Sequence, residues 1–203
     1  MTHKVSLALG ITEIQTEFKG NVFRAFALET PQGTVLIDTC MEDDEKDFVN
    51  TVLPLRVNTI VLTHHHRDHT GALAAIAEEI AGLNIAAHRL EIDHIPVPVN
   101  LPLEHGDLVA GVLRVIHVPG HTAGNIALYL EREKILFAGD SVFGAGGYQG
   151  KLSIPPAVYS DDVEQARDSI RRMLAYPFEK AFLSHGEHLM EGAHEKISRL
   201  LQG

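Results

Sequence analysis

Four residues of metal-binding types stand in the spacing His64-x-His66-x-Asp68-His69. Side chains two residues apart on extended backbone point to the same side, so His64 and His66 can bind one cation together. Asp68 and His69 lie further along the turn and predict a second cation. Imidazole nitrogens and carboxylate oxygens suit zinc and other first-row metals, and a catalytic site of this kind keeps one position for water. The spacing therefore predicts two metal sites that could activate a water molecule.

The motif needs a rigid element before it, and three later segments add further ligands at the ends of predicted strands. The apolar, β-branched run Val57–Leu62 predicts a buried strand that ends at the motif. His121, in the turn Pro119–Gly124, is predicted to complete the first site, because glycines there let the backbone approach a metal closely. His185 follows the last predicted strand and supplies the histidine that the second site lacks. Asp140 also follows a strand, and its two carboxylate oxygens can bridge both cations.

Two residues beside the ligands have predicted supporting roles. Two strands joined by a tight turn are predicted over Asn21–Thr30 and Gly33–Thr39, and Asp38 lies where the second strand ends. A carboxylate there either caps the strand end or orients a ligand histidine through a hydrogen bond, and we expect the second role. His65 alternates away from its two neighbouring histidines, so we expect it to pack rather than to bind a metal.

The remaining pattern predicts a chain of mixed helices and strands. One helix is predicted over Glu42–Leu53, ended by Pro54, and another over Gly71–Ala81. Ser160 is predicted to cap a later helix, whose first turn carries acidic residues that suit the helix dipole. Further strands are predicted over Asn84–His88, Val112–Val118, Asn125–Leu130, Lys134–Phe137 and Lys180–Leu183.

Composition indicates one acidic globular domain. The chain has 203 residues, 45% of them hydrophobic, which predicts a single domain over residues 1–203 with a sizeable core. Its net charge is −10, so no electrostatic footprint for nucleic acid or an anionic membrane is visible. Cys40 is the only cysteine, which excludes an internal disulfide. Because no convincing signal peptide or membrane-spanning segment is found either, we expect a cytoplasmic protein.

Taken together, these stretches resemble the metallo-β-lactamase superfamily of hydrolases. The motifs that carry the resemblance are His64-x-His66-x-Asp68-His69, Pro119-Gly120-His121-Thr122, Gly139-Asp140-Ser141 and Ser184-His185-Gly186. The resemblance implies an α/β fold built as an αββα sandwich, with a binuclear site along one edge of the paired sheets. The implied ligands of the first metal are His64, His66 and His121. Those of the second are Asp68, His69 and His185, with Asp140 bridging the two.

The resemblance also implies a hydrolase that binds two divalent metal ions, which we expect to be Zn2+, and a small-molecule substrate. Two such ions carry four positive charges, of which Asp68, Asp140 and one hydroxide remove three, so one positive charge would remain to polarise a substrate oxygen. Asp68 and Asp140 are the predicted catalytic carboxylates. We expect attack of water on an ester, thioester or lactone carbonyl. A phosphodiesterase or a weak, promiscuous β-lactamase is a further alternative.

Subfamily patterns bear on the substrate. The run Gly139-Asp140-Ser141-Val142-Phe143-x-x-Gly146 resembles the glyoxalase II type thioesterases, although their Lys-Phe-Tyr pattern is absent. The acyl-homoserine lactonases carry a tyrosine three residues after the bridging aspartate, where this chain has Phe143. The persulfide dioxygenases use only the three-ligand site, with iron, and carry an arginine where this chain has Tyr148. A mononuclear iron oxygenase of that type is the main alternative function.

The glycine-rich loop Gly144–Pro156 follows the predicted bridging residue. A mobile loop that contacts the substrate and a plain surface loop are both consistent with this composition. Phe143, directly before the loop, and Tyr148 and Lys151, within it, are the candidate substrate-binding residues.

Overall fold

The computed structural model describes residues 2–7, 10–41 and 45–202, and the chain divides into two compact units. The first unit comprises residues 1–87 and 92–102, and the second comprises residues 88–91 and 103–203. Each unit contains one β-sheet with both parallel and antiparallel pairs. Within the described ranges, no helix is long and apolar enough to cross a membrane. The assignment of residues 1–203 to one domain stays a prediction.

The sheet of the first unit has seven strands that follow one another in sequence order. Their bounds are β1 Thr2–Ser6, β2 Ile11–Phe18, β3 Asn21–Thr30, β4 Gly33–Ile37, β5 Val57–Val61, β6 Asn84–His88 and β7 Leu101–Leu103. Strands β1 to β4 pair antiparallel, whereas β4, β5 and β6 pair in parallel. The predicted hairpin is confirmed, and its turn is closed by the Thr30 hydroxyl, which donates to the Gly33 carbonyl oxygen over 2.7 Å.

Strand β5 is the rigid element that precedes the metal-binding motif. Ile60, Val61 and Leu62 are fully buried, as expected for a parallel strand inside a sheet. The backbone hydrogen bond from Leu62 N to Ala86 O, 2.9 Å long, continues the pairing with β6 past the end of the strand. The chain therefore enters the motif from a backbone that is already fixed on one side.

In the described part of the first unit there are three α-helices: α1 Glu45–Val52, α2 Arg67–Thr70 and α3 Leu73–Glu79. Helix α1 buries Phe48, Val49 and Val52, as predicted, while residues 42–44 of the predicted helix lie outside the described residues. The prediction of one helix over Gly71–Ala81 is wrong in its bounds. The chain becomes helical already at Arg67, because the His66 carbonyl oxygen accepts hydrogen bonds from the backbone N–H groups of His69 and Thr70.

The sheet of the second unit has five strands in the spatial order β12-β11-β10-β9-β8. Their bounds are β8 Leu108–Val109, β9 Leu113–His117, β10 Ile126–Leu130, β11 Ile135–Phe137 and β12 Lys180–Phe182. Only β11 and β12 pair in parallel among the described strand pairs of this sheet. The four strands predicted between Val112 and Leu183 are confirmed, each within one residue of its predicted bounds.

Two helices, α4 Val163–Met173 and α5 Ala193–Ser198, complete the second unit. Helix α4 buries Ala166, Ile170 and Met173 in the apolar core. The prediction that Ser160 caps this helix is wrong: the cap is Asp162, whose carboxylate accepts the Gln165 N–H over 2.9 Å. Ser160 is instead part of the candidate site, because its hydroxyl lies near a predicted ligand histidine.

Candidate metal centre

The first unit contributes four predicted ligands from the segment that follows β5. His64 and His69 are almost completely buried, whereas the Asp68 side chain is 22% exposed. The ring centroid of His64 lies 4.7 Å from that of His66 and 4.1 Å from that of His69, so the three imidazoles form one cluster. Helix α2 turns Asp68 towards the same place, with its Oδ2 atom 3.6 Å from His69 Nε2.

Asp38 is a buried carboxylate that fixes this cluster from the end of β4. Its Oδ1 atom accepts the Thr63 N–H over 2.7 Å, and Oδ2 accepts the Thr63 hydroxyl and His69 Nδ1, each over 2.8 Å. Because an ionised carboxylate can only accept, the ring proton of His69 must be on Nδ1. The Nε2 lone pair is then available to a cation. The hydrogen bond predicted for Asp38 is thus observed, and its effect on a bound metal stays a prediction.

The second unit contributes Asp140, which lies in a 3₁₀ turn directly after β11. Its side chain is 5% exposed, and its two oxygens face two different histidines. Oδ2 lies 3.4 Å from His121 Nε2, and Oδ1 lies 3.3 Å from His185 Nε2. A carboxylate with one oxygen towards each of two predicted ligand histidines is consistent with the predicted bridge between two cations.

The loop 119–124 positions His121 against the start of α4. The backbone N–H groups of Asp161 and Asp162 donate to the carbonyl oxygens of His121 and Gly120, over 3.1 and 2.9 Å. The Ser160 hydroxyl lies 3.4 Å from His121 Nδ1. The Ser160 hydroxyl oxygen can therefore accept a hydrogen bond from the Nδ1–H group of His121. Nε2 would then carry no proton and could bind a metal, as in the case of Asp38 and His69. Sequence reasoning assigned Ser160 to a helix cap and missed this contact.

Gly120 lets the loop 119–124 lie close to the backbone of α4. We expect Gly120→Ala to lower the free energy of unfolding by about 2 to 4 kcal/mol. Its φ is +126°, and an added Cβ would overlap the backbone nitrogen and Cα of Ala166. Gly82→Ala is the matched control, because Gly82 also has a positive φ, +74°, but an added Cβ there meets nothing within 4 Å. The control should lose only about 1 to 2 kcal/mol. Equal losses in chemical denaturation of the two variants would contradict this explanation.

His185 follows β12 and packs against Phe143. The two rings are stacked with centroids 5.0 Å apart and planes 10° apart, and Phe143 also lies edge-on to His121 at 6.4 Å. The Gly144 N–H donates to the His185 carbonyl oxygen over 2.9 Å, which fixes the backbone as well. Phe143 is only 4% exposed, so its ring packs against the predicted ligand His185, and its role as a substrate contact stays a prediction.

The two other candidate substrate-binding residues lie on the exposed loop after Phe143. Tyr148 is 57% exposed and packs edge-to-face on Tyr159, with centroids 5.0 Å apart. Lys151 is exposed as well. Their side chains are accessible to a ligand, as a substrate-contacting loop requires, and that role stays a prediction.

A pair of stacked histidines lies in the second unit outside the predicted ligand set. His88 and His117 stack with ring centroids 4.0 Å apart. Burial, followed by the charge of His117, lowers the pKa of His88 from 6.5 to about 4. Since the unfolded chain then takes up the proton first as the pH falls, the stability that this group contributes is complete above about pH 6.5 and is lost towards pH 4.

We therefore expect the free energy of unfolding to fall by about 1 to 2 kcal/mol between pH 6.5 and pH 4 through His88 alone, with allowance for solvent screening. The measurement is urea denaturation at several pH values in this range, for the wild type and for His88→Asn. The free energy of unfolding should fall less steeply with decreasing pH in His88→Asn than in the wild type. If both proteins lost stability in parallel, His88 would not be the group responsible.

Seven described side chains, from both units, are of types that could hold metal ions. They are His64, His66, Asp68, His69, His121, Asp140 and His185. The donor chemistry fits first-row divalent metals, since it combines imidazole nitrogens with carboxylate oxygens. His188, a neighbour of His185, accepts the Leu183 N–H at Nδ1 over 3.1 Å.

Comparison with known proteins places these residues in a family context. The family model described as the metallo-beta-lactamase superfamily matches residues 24–185. A hydroxyacylglutathione hydrolase of Cereibacter sphaeroides is 35% identical over 144 residues, which covers 68% of this chain and 51% of that protein. The protein of the same name from Shewanella oneidensis is 30% identical over 188 residues, which covers 87% and 66%. The chain thus spans about half to two thirds of the length of these curated relatives.

Solved structures with the same fold include a metallo-beta-lactamase from Pontibacter korlensis. It has a TM-score of 0.81 and 21% identity, and the match covers 100% of both chains. A second structure, TTHA1623 in a di-iron-bound form, has a TM-score of 0.70 and 27% identity over 86% of this chain and 92% of that one. The predicted fold class is confirmed by these likenesses together with the mixed sheets and helices described above.

Proposed function

The chain belongs to the metallo-β-lactamase superfamily, and on this basis we propose that it is a binuclear metal-dependent hydrolase of an ester, thioester or lactone. Its described residues could hold metal ions, and its curated relatives bear the name of a hydrolase.

The observation that carries the proposal is the position of the Asp140 carboxylate. Its oxygens approach His121 Nε2 and His185 Nε2 over 3.4 and 3.3 Å, one oxygen for each ring. A buried carboxylate close to two imidazoles needs a reason to be retained, because burial of a charge is costly unless it is paired or binds a metal. Two cations, one beside each histidine, would supply that reason.

The proposed first metal site consists of His64, His66 and His121. The proposed second site consists of Asp68, His69 and His185, with Asp140 as the bridge. Support comes from the residue types, since each set, with the bridge included, combines imidazole and carboxylate groups that bind first-row metals. The second set has more negative charge than the first, which contains only neutral imidazoles besides the bridge.

When bound, two divalent cations would lower the pKa of a water molecule and polarise a substrate oxygen. The chain itself would supply the charge balance and the orientation of the ligands. Asp68 and Asp140 would each neutralise one positive charge, and burial of Asp140 keeps bulk water from screening its interaction. Asp38 would hold His69 in the tautomer that leaves Nε2 for a metal, and Ser160 would do the same for His121.

A thioester is the substrate class that the relatives support most directly, since they are named hydroxyacylglutathione hydrolases. The exposed loop would then contact the leaving thiol through Tyr148 and Lys151, and the buried Phe143 ring would line the site beside His185. Zinc is the proposed metal. Iron is the alternative, supported by the di-iron form of the structurally similar TTHA1623.

The test is hydrolysis by zinc-loaded protein of a hydroxyacylglutathione thioester, a simple acyl thioester and an acyl-homoserine lactone. Thiol release is followed with a disulfide reagent, and acid release is followed with a pH indicator. We expect turnover of at least one of these compounds, and none by Asp140→Ala. Zinc-loaded protein that hydrolysed none of them, together with oxygen uptake on glutathione persulfide by iron-loaded protein, would instead establish the dioxygenase alternative.

A further inference from the structure

Glu91 is a fully buried carboxylate that lies outside the predicted ligand set. It follows β6 in the segment 88–91 and is 0% exposed. Its Oε1 atom accepts two hydrogen bonds from the loop that carries His121. The Thr122 hydroxyl donates over 2.8 Å and the Gly124 N–H over 2.6 Å. Both donors come from the residues directly after the ligand histidine.

The fit between Glu91 and Gly124 is close. A Cβ added to Gly124 would lie 2.7 Å from both Cγ and Oε1 of Glu91, and the three nearest heavy atoms all belong to this side chain. The φ of Gly124 lies outside the left-handed region, so its backbone conformation is open to any residue. A side chain at position 124 would therefore have to displace the Glu91 carboxylate, which occupies the space beside it.

The same loop is fixed by other groups of the second unit. His117 Nε2 lies 2.9 Å from the Ala123 carbonyl oxygen and donates to it, so each residue from 122 to 124 has a buried or half-buried partner. On the other side of His121, the Ser169 hydroxyl donates to the Pro119 carbonyl oxygen over 2.7 Å. His121 thus lies between two segments that are each held by hydrogen bonds.

Holding a loop with a buried carboxylate costs free energy, which indicates that the position of this loop is important. Burial of a charge is unfavourable, and only short, charge-assisted hydrogen bonds compensate for it. Such bonds are also directional, so they restrict the loop more tightly than apolar packing does. The contacts of Glu91 are 2.8 and 2.6 Å long, and both come from the three residues that follow His121.

We propose that Glu91 is a positioning residue for His121. It holds the backbone of residues 122–124 so that the His121 ring keeps its direction towards Asp140. The inference rests on the proposed function, because it takes His121 to be a ligand of the first metal. Glu91 itself touches neither metal nor substrate in this assignment, and it acts through Thr122 and Gly124.

The test compares zinc affinity in Glu91→Ala and Glu91→Gln by competition with a chromophoric chelator. Glu91→Ala should weaken the binding of one zinc ion about 10- to 100-fold, as is typical when the group that orients a ligand is removed. Glu91→Gln keeps a carbonyl oxygen that can accept both hydrogen bonds, so its zinc affinity should stay within about threefold of the wild type. The visible spectrum of cobalt-loaded protein, which reports ligand geometry, should change in the alanine variant only.

Glu13→Ala is the matched control, since Glu13 is also a buried carboxylate but lies on β2 and pairs with Arg24 over 2.6 Å. It should lower the melting temperature without changing zinc affinity. Equal loss of zinc from the Glu13 and Glu91 variants would overturn the inference, because it would indicate general destabilisation. If Glu91→Ala did not fold, Thr122→Val would test the inference instead. It removes one of the two hydrogen bonds and should still weaken the binding of one zinc ion about 3- to 10-fold.

Wild-type zinc content separates this inference from the proposed function. Two zinc ions in the wild type and unchanged affinity in Glu91→Ala would overturn the role of Glu91 and leave the proposed function intact. A wild-type protein that bound no divalent metal would overturn both.

Discussion

Replacing Asp140 by alanine is expected to remove metal from both sites and to lower kcat/KM at least about 1,000-fold. The reason is that, in the proposed centre, this one side chain would serve both metal sites, since one of its oxygens lies beside His121 and the other beside His185. Its loss removes a ligand from each site and also one of the negative charges that balance the cations. Metal stabilisation of a developing charge amounts to several kcal/mol, and each 1.36 kcal/mol corresponds to a tenfold change in rate.

The measurement combines elemental analysis of the purified variant with steady-state kinetics on the best substrate of the panel. Asp140→Asn is the informative partner, because it keeps the shape and one carbonyl oxygen but loses the charge, and we expect an intermediate metal content. Asp168→Ala serves as the control, since Asp168 is exposed on α4 and pairs with Arg171. Unchanged metal content and turnover in Asp140→Ala would show that the bridge does not exist.

Replacing Asp38 by asparagine is expected to weaken the binding of the second metal ion about 10- to 100-fold. It is also expected to lower the free energy of unfolding by about 1 to 3 kcal/mol. The asparagine oxygen can still accept the Thr63 N–H, but its amide group would face His69 Nδ1 as a donor. The ring proton of His69 must then move to Nε2, the atom that is needed for the metal. The change thus reverses the tautomer of a ligand without removing the ligand.

Asp38→Asn also separates the effect of the changed hydrogen bond to His69 from the effect of backbone strain. Asp38 has a φ of +60°, a left-handed conformation that asparagine tolerates and alanine does not. Asp38→Ala should therefore lose more stability than Asp38→Asn but less metal affinity, because no donor then opposes the Nδ1 proton. Chemical denaturation and zinc competition on both variants measure the two effects. Metal affinity unchanged in Asp38→Asn would contradict the tautomer argument.

The placement of the candidate ligands was predictable because it follows local rules. His64 comes after β5, Asp140 after β11 and His185 after β12, and each strand is recognisable from a short apolar run in the sequence. His121 lies in the turn between β9 and β10, where glycine and proline mark the change of direction. Side-chain alternation also separates His65 from its neighbours. These signals extend over only a few residues, so a single sequence is enough to read them.

Contacts between distant segments were not predictable in this way. Glu91 is 31 residues from Thr122, and Ser160 is 39 residues from His121, and no periodicity relates such pairs. Ser160 and Asp162 are both good helix caps by residue type, so propensity alone does not choose between them. Packing decides, because the backbone at 161 and 162 donates to the loop of His121 and the helix can begin only after it.

The metal content of the wild type, His185→Ala and His188→Ala, determined by elemental analysis, decides whether the centre is binuclear. His188 is the matched control, because it lies three residues from His185 and its Nδ1 accepts a backbone N–H. We predict two zinc ions per chain in the wild type and in His188→Ala, and about one in His185→Ala. One metal ion per chain in all three proteins would contradict a binuclear centre and would show that His185 is not a ligand.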